Sequence, residues 1–276
     1  MYRITTYEEK YNLGDIIQTI ALSQLLPQCI GIPRHEVPLE KFKSLLYIVN
    51  GWHNRHMESP SDDSNCLFAG VYYNTELLDN NKITNWIRQS RYNFGARDPV
   101  TFEKTKKEGI KSELIGCSTL TFDEYSGIRE GIYFVDSYNS PKSLKDGFYY
   151  THKIKEKIIR NNLAIVKGKF VEINKGFDYN WIIASSYLEH YKKAEEVYTS
   201  RLHVALPCLA FGTPVYIEEP TRKEDRERFS ILDAMEVPFK KLTVIDTTKW
   251  RDNYIKFLTN NNVEVLKNSE PKFPLV

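Results

Sequence analysis

The stretch Thr199–Pro214, TSRLHVALPCLAFGTP, decides the reading of this chain. A short apolar strand, Val197–Tyr198, runs into it, and Ser200 stands where a helix N-cap belongs. The apolar run Leu202–Phe211 is the helix, Gly212 takes the C′ position, and Pro214 opens the next strand, Val215–Ile217. Strand, helix, strand in so few residues is the unit of a parallel α/β sheet. Arg201 and His203 then fall in the first helical turn, where unpaired backbone N–H groups and the positive end of the helix dipole favour an anion. Two readings are open for the pair. It is either an anion-binding arginine beside a proton-transfer group, or a surface arginine and a hydrogen-bonded histidine at the edge of the core.

The same order extends outward in both directions. In the first half, Tyr2–Thr6 reads as a strand, Asp15–Leu26 as a helix, and Leu45–Asn50 and Cys66–Tyr72 as apolar strands. A helix over Ile83–Gln89 and a short strand at Tyr92–Gly95 follow. Asp98 caps a helix that begins at Pro99 and stops at Gly109, before a strand at Glu113–Gly116. The second half restarts with the strand Ile132–Asp136. A helix at Lys153–Asn161, the apolar run Leu163–Lys167 and a helix at Trp181–Tyr191 lead to Val197. Beyond Ile217 come a charged helix, Arg222–Met235, a strand at Lys241–Ile245 and a terminal helix, Lys249–Leu258. The fold class expected is α/β, with two Rossmann-like lobes of parallel strands flanked by helices. They divide near residues 122–131, giving an N-terminal lobe over 1–125 and a C-terminal lobe over 126–276.

Composition sets the frame for function. The chain has 276 residues, 41% hydrophobic and 27% charged, ordinary for a folded globular protein with a real core. A formal charge of +2, with basic residues scattered among acidic ones, gives no drive toward nucleic acid. The four cysteines, Cys29, Cys66, Cys117 and Cys208, show no metal-like spacing, and Cys208 falls on the apolar helix as a buried, inert thiol. Met1–Asp15 has no apolar core of a signal peptide, and no run is long enough to span a bilayer. A reduced, cytoplasmic protein is the expectation.

Further candidate groups sit where strands end. Asn12-Leu13-Gly14-Asp15, with Gln18 a turn later, follows the first strand, and suits either a capped turn or the polar floor of a ligand cleft. It is neither a dinucleotide fingerprint nor a P-loop. Asn50-Gly51-Trp52-His53 ends the next apolar strand, where Trp52 suits stacking on a sugar face or simple cover of the core. His53 and His56 are spaced i, i+3 but have no third ligand nearby, so no metal site is expected. Arg97 lies between a strand and a helix, where its fork suits a carboxylate or a phosphate, or an ion pair. The hydroxyls of Gly116–Phe122 line a cleft or cap a turn, and Thr151-His152 is a weaker candidate.

Taken together, NLGD-x-x-Q (Asn12–Gln18), NGW (Asn50–Trp52), GARDPVT (Gly95–Thr101), GCSTLTF (Gly116–Phe122), Thr151-His152 and TSRLHVALPCLAFGTPV (Thr199–Val215) resemble the polysaccharide pyruvyl transferase family. The resemblance implies a GT-B-like arrangement of the two lobes about a central cleft. It implies transfer of pyruvate from phosphoenolpyruvate, as co-substrate and without a cofactor, to a glycan or lipid-linked oligosaccharide, forming a cyclic ketal and releasing phosphate. On that basis Arg97, Ser200, Arg201, Leu202 and His203 are the donor-binding set, with His203 and Arg201 catalytic. The first lobe, with Asn12, Asp15, Asn50, Trp52 and His53, is the acceptor side, and the second the donor side. The setting implied is the cytoplasm, at the inner face of the membrane with transient surface contact. A sugar-nucleotide glycosyltransferase with Glu218–Glu219 as ribose ligands, and a non-catalytic glycan- or anion-binding protein, are the competing readings.

Overall fold

The computed structural model describes residues 1–7, 12–33, 44–53, 65–73, 81–137, 139–142, 147–151, 163–166, 169–172 and 177–266. In the first half, β1 (Tyr2–Thr6), α1 (Leu13–Ser23), β2 (Cys29–Pro33), β3 (Tyr47–His53), β4 (Cys66–Tyr73), α2 (Asn81–Gln89), β5 (Phe94–Ala96), α3 (Pro99–Lys107) and β6 (Ser112–Leu114) follow one another. Their strands pair in the order β2-β1-β3-β4-β5-β6, every neighbour parallel. A central parallel strand must be covered on both faces, and β4, CLFAGVYY, is buried along its whole length. Its alternation sorts the two faces. Phe68 packs on Trp86 of α2, whose Ile83, Trp86 and Ile87 share one helical face, while Leu67 and Ala69 join the opposite cluster.

The second half contributes β7 (Ile132–Val135), β8 (Phe148–Tyr150), β9 (Leu163–Val166), β10 (Lys169–Glu172), α4 (Phe177–Lys193), β11 (Glu196–Thr199), α5 (Leu202–Ala210), β12 (Val215–Ile217), α6 (Lys223–Arg228), α7 (Ser230–Ala234), β13 (Leu242–Thr243) and α8 (Thr248–Asn260). The sheet order is β13-β12-β11-β7-β8. The architecture is α/β with two Rossmann-like lobes, though not purely parallel. Edge strand β13 runs antiparallel to β12, and β9 and β10 form a separate antiparallel hairpin. The helix expected at Lys153–Asn161 lies outside the described residues, as do His56 and His152. Among the described residues no helix is long and apolar enough to cross a membrane.

Two local expectations are corrected. Ser200 does not cap α5; the N-cap is Arg201, with no side-chain capping bond, because Ser200 Oγ donates instead to the Asp136 carbonyl at 2.7 Å. The charged segment Arg222–Met235 is two helices, broken at Phe229 (φ −89°, ψ 0°). The break lets Phe229, Ile231 and Leu232 all reach the core, which one straight amphipathic helix of this composition would not allow. Gly212 does stand at the C′ position with φ of +68°, the left-handed conformation that closes α5.

Two packing features position the site. All of α1 is buried, and its Ile16, Ile17, Ile20 and Ala21 enter one core with Trp181, Ala184 and Leu188 of α4 and Leu206 and Leu209 of α5. The lobes therefore share a hydrophobic core. Helix α8 returns to the first sheet: Tyr254, Phe257 and Leu258, spaced i, i+3, i+4, pack with Ile4, Leu67 and Ala69, and Tyr254 Oη donates to the Ala69 carbonyl at 3.1 Å.

Candidate active site

In the first sheet β1 pairs with β2 on one side and β3 on the other, so the chain's progression reverses between β1 and β3. Such a reversal opens a crevice at the carboxyl ends of the strands. Asn12–Asp15 follow β1, and Asn50–Trp52 stand at the carboxyl end of β3, at this reversal. Asn12 caps α1 by accepting from the Gly14 N–H at 3.1 Å, and its amide donates to Asp15 Oδ2, also at 3.1 Å. Gln18 Nε2 donates to the other Asp15 oxygen at 3.1 Å. Burial drives the Asp15 carboxyl up to about 6, against the lowering effect of Arg228, Arg97 and these two amides. Asn50 is fully buried and acts as a strut: its amide donates to the Gln18 carbonyl at 3.1 Å, and Tyr7 Oη donates to its carbonyl at 2.6 Å. His53 ends β3.

Arg97 leaves β5 at the same edge and is wholly buried. Its guanidinium lies 4.7 Å from the centre of the Tyr72 ring, and its NH1 is 3.5 Å from His203 Nε2. Its Nε faces Asp98 Oδ2 at 3.5 Å, and NH2 donates to the Arg228 carbonyl at 3.4 Å. That carbonyl ends α6, where a cation is favoured. Asp98 caps α3 through the Thr101 N–H at 3.0 Å and meets Ser230 Oγ at 3.5 Å. Burial raises its carboxyl, while Arg97 opposes the rise.

His203 arrives from the second lobe. Its backbone (φ −85°, ψ 20°) departs from the helix, and the cause stands four residues on. Pro207 has no N–H to give the His203 carbonyl, and its ring crowds that oxygen. The imidazole lies against Gly14: a Cβ there would sit 3.1 Å from His203 Cβ and 3.2 Å from Nδ1. Glycine is what permits this approach of helix to helix.

Arg201 is placed differently. It stands at the second sheet's own reversal, between β7 and β11, and its Nε donates to Asp136 Oδ2 at 2.8 Å. Asp136 holds φ of +49°, a conformation aspartate tolerates better than most, and takes Thr151 Oγ1 on its other oxygen at 2.6 Å. The structure thus joins Arg97, His203 and Asp15, while Asp136 engages the guanidinium of Arg201. Leu202 is buried in the shared core. Cys208 is fully buried, and burial pushes its thiol far above the usual range. The carboxylates of the alternative ribose site are engaged: Glu218 accepts from Ser137 Oγ at 2.7 Å, and Glu219 pairs with Lys240 at 2.8 Å.

Arg228 is the residue that sequence reasoning missed. Its guanidinium lies 5.0 Å from the Trp52 ring centre, and burial followed by the neighbouring Arg97 charge lowers its pKa. Nothing in the run KEDRER marks one arginine as different from the next; its contact with Trp52, far off in sequence, sets Arg228 apart.

Comparison with known proteins adds the following. The chain is similar in structure to a functionally uncharacterized protein of Klebsiella pneumoniae (TM-score 0.48, 12% identity, 89% of this chain and 93% of that one). It is also similar to S. aureus MnaA, solved with UDP (0.41, 11%, 96% and 90%). A third likeness is to UDP-GlcNAc 2-epimerase from Neisseria meningitidis, bound to UDP-GlcNAc (0.40, 9%, 95% and 100%). No curated protein matches the chain. The family model for polysaccharide pyruvyl transferase matches residues 12–218, a range that opens on the Asn12 cap and takes in Arg97, Arg201 and His203. The chain belongs to the polysaccharide pyruvyl transferase family.

Proposed function

We propose that the protein moves pyruvate from phosphoenolpyruvate onto two hydroxyls of a glycan, forming a cyclic ketal and releasing phosphate. Membership in the family gives the general role, polysaccharide pyruvylation. The observation that carries the finer reading is the meeting of Arg97 and His203, 3.5 Å apart and contributed by different lobes. Phosphoenolpyruvate has a phosphate and a carboxylate, and a buried guanidinium beside a titratable ring suits such a ligand.

In this scheme the enol methylene gains a proton and the adjacent carbon, now oxocarbenium-like, takes one sugar hydroxyl. Phosphate then leaves and the second hydroxyl closes the ring. Of the two hydroxyl protons, one ends on the new methyl and one on phosphate, so the reaction balances without a cofactor. His203 moves a proton; Arg97 holds the departing anion, and Ser200, Arg201 and Leu202 complete the donor side in the second lobe (126–276). Arg201, 34% exposed, is free to exchange Asp136 for the donor. Asn12, Asp15, Asn50, Trp52 and His53, in the first lobe (1–125), form the acceptor side. A lipid-linked acceptor places the reaction at the inner face of the membrane, in the cytoplasm.

The test is incubation with phosphoenolpyruvate and a panel of galactosides, glucosides and mannosides, with sugar nucleotides as the control donor. Phosphate release that depends on one acceptor is expected. Turnover of a sugar nucleotide, or none with phosphoenolpyruvate on any acceptor, would overturn the proposal.

A further inference from the structure

The geometry points to Arg228 as a second guanidinium of the donor-anion site, holding one anionic group of the donor while Arg97 holds the other. This rests on the pyruvyl-transfer reading. It concerns a residue beyond the 12–218 range that the family model matches.

The argument begins in the first sheet. Trp52 of β3 and Tyr72 of β4 are register partners on neighbouring parallel strands, so their rings leave the sheet side by side, about 5 Å apart at the backbone. Each ring carries an arginine: Arg97 lies over Tyr72 at 4.7 Å and Arg228 over Trp52 at 5.0 Å. A guanidinium held over an aromatic face is restrained in position by cation–π attraction. The two arginines are also tied together, since Arg97 NH2 donates to the Arg228 carbonyl at 3.4 Å. The result is a pair of restrained guanidinia, one from each lobe. Two guanidinia brought to one place suit an anion with two charged ends.

The polar contacts of Arg228 leave room for such a ligand. Its NH1 meets Asp225 at 3.3 Å, an i, i+3 pair in which the aspartate is 42% exposed. Pairs of that kind hold weakly. Its Nε is buried and, among the described residues, makes no hydrogen bond. A buried charged N–H without an acceptor is costly unless something supplies one. Two cations kept this close also repel, and Asp15, the carboxylate that both arginines act on, is itself resisted by burial. A doubly anionic ligand relieves both costs. Neither the Asp225 pair nor the Trp52 stack would have to break to admit it.

The test is calorimetric titration of phosphoenolpyruvate and of inorganic phosphate into the wild-type protein, Arg228→Gln and Arg228→Lys, with thermal melting as the check on folding. Arg228→Gln is expected to weaken phosphoenolpyruvate binding roughly 10- to 100-fold, the loss of one charge-assisted bond. Arg228→Lys should recover only part of it, because a point charge lacks the fork. Unchanged affinity in a folded Gln variant overturns the proposal. Should that variant fail to fold, unchanged affinity in the Lys variant does so. If the wild type binds inorganic phosphate but not phosphoenolpyruvate, the pyruvyl-transfer reading falls, and Arg228 is judged by its effect on phosphate alone. If it binds neither, both fall.

Discussion

At the scale of single residues, the site is a set of ionisable groups whose surroundings set their behaviour. His203 is held between Arg97 and Gly14, and in the proposed reaction its ring moves a proton. His203→Ala should lower turnover by about 10²–10⁴ with the melting temperature little changed. His203→Gln keeps hydrogen bonding without proton transfer, so near-normal turnover in that variant at saturating donor would leave His203 a positioning role only. Asp15 makes a second prediction. Its carboxyl is raised from 3.8 to about 6, so between those values the folded state binds more protons than the unfolded one. Stability from this group is present below pH 4 and is lost as pH rises toward 6. Asp15→Asn removes the effect, so the melting temperature of the variant relative to wild type should climb as pH is raised from 4 to 7. A difference that stays constant over that range would show that Asp15 is not burdened by its burial.

At the scale of elements, strand ends and helix caps bring these residues together. Asp98 does two things at once, capping α3 and facing Arg97. Asp98→Asn keeps a capping oxygen but loses the charge, and Asp98→Ala loses both. The melting order should be wild type, then Asn, then Ala, with the cap worth about 0.5–2 kcal/mol. An Asn variant as stable as wild type would remove the ion pair from the account. What was legible beforehand follows from how local each signal is. The α3 start is written in Asp98-Pro99, and the end of α5 in Gly212, because caps are sequence-local devices. The edge strands β2 and β8 were not foreseen: CIGIP carries a glycine and a proline, and FYY is too short to show alternation. Residue type marks Ser200 as a cap, but the Asp136 carbonyl one strand away claims its hydroxyl. Arg97 and His203 were each visible as candidates at strand-to-helix turns. Arg228 was not, since its place depends on Trp52, far off in sequence.

At the scale of the whole molecule, the two sheets are distinct, but α1 ties the packing of one lobe to the other. Because α1 sits in one hydrophobic cluster with α4 and α5, neither lobe can lose its packing without exposing the other. Thermal unfolding should therefore be one cooperative transition, with equal calorimetric and van 't Hoff enthalpies. Two resolved transitions would show the lobes to be independent. The return of α8 to the first sheet has a consequence for synthesis on the ribosome. Strands β1 to β6 emerge early, yet the face carrying Ile4, Leu67 and Ala69 is covered by Tyr254, Phe257 and Leu258. At roughly 5–20 residues per second, the interval between β6 and α8 is on the order of 10 s. Nascent chains arrested before Thr248 should leave the first sheet open to protease, and chains extended past Asn260 and clear of the exit tunnel should protect it; equal resistance in both would contradict this. During that interval the half-covered sheet is a natural client for a chaperone, and the arrival of α8 is what ends the dependence.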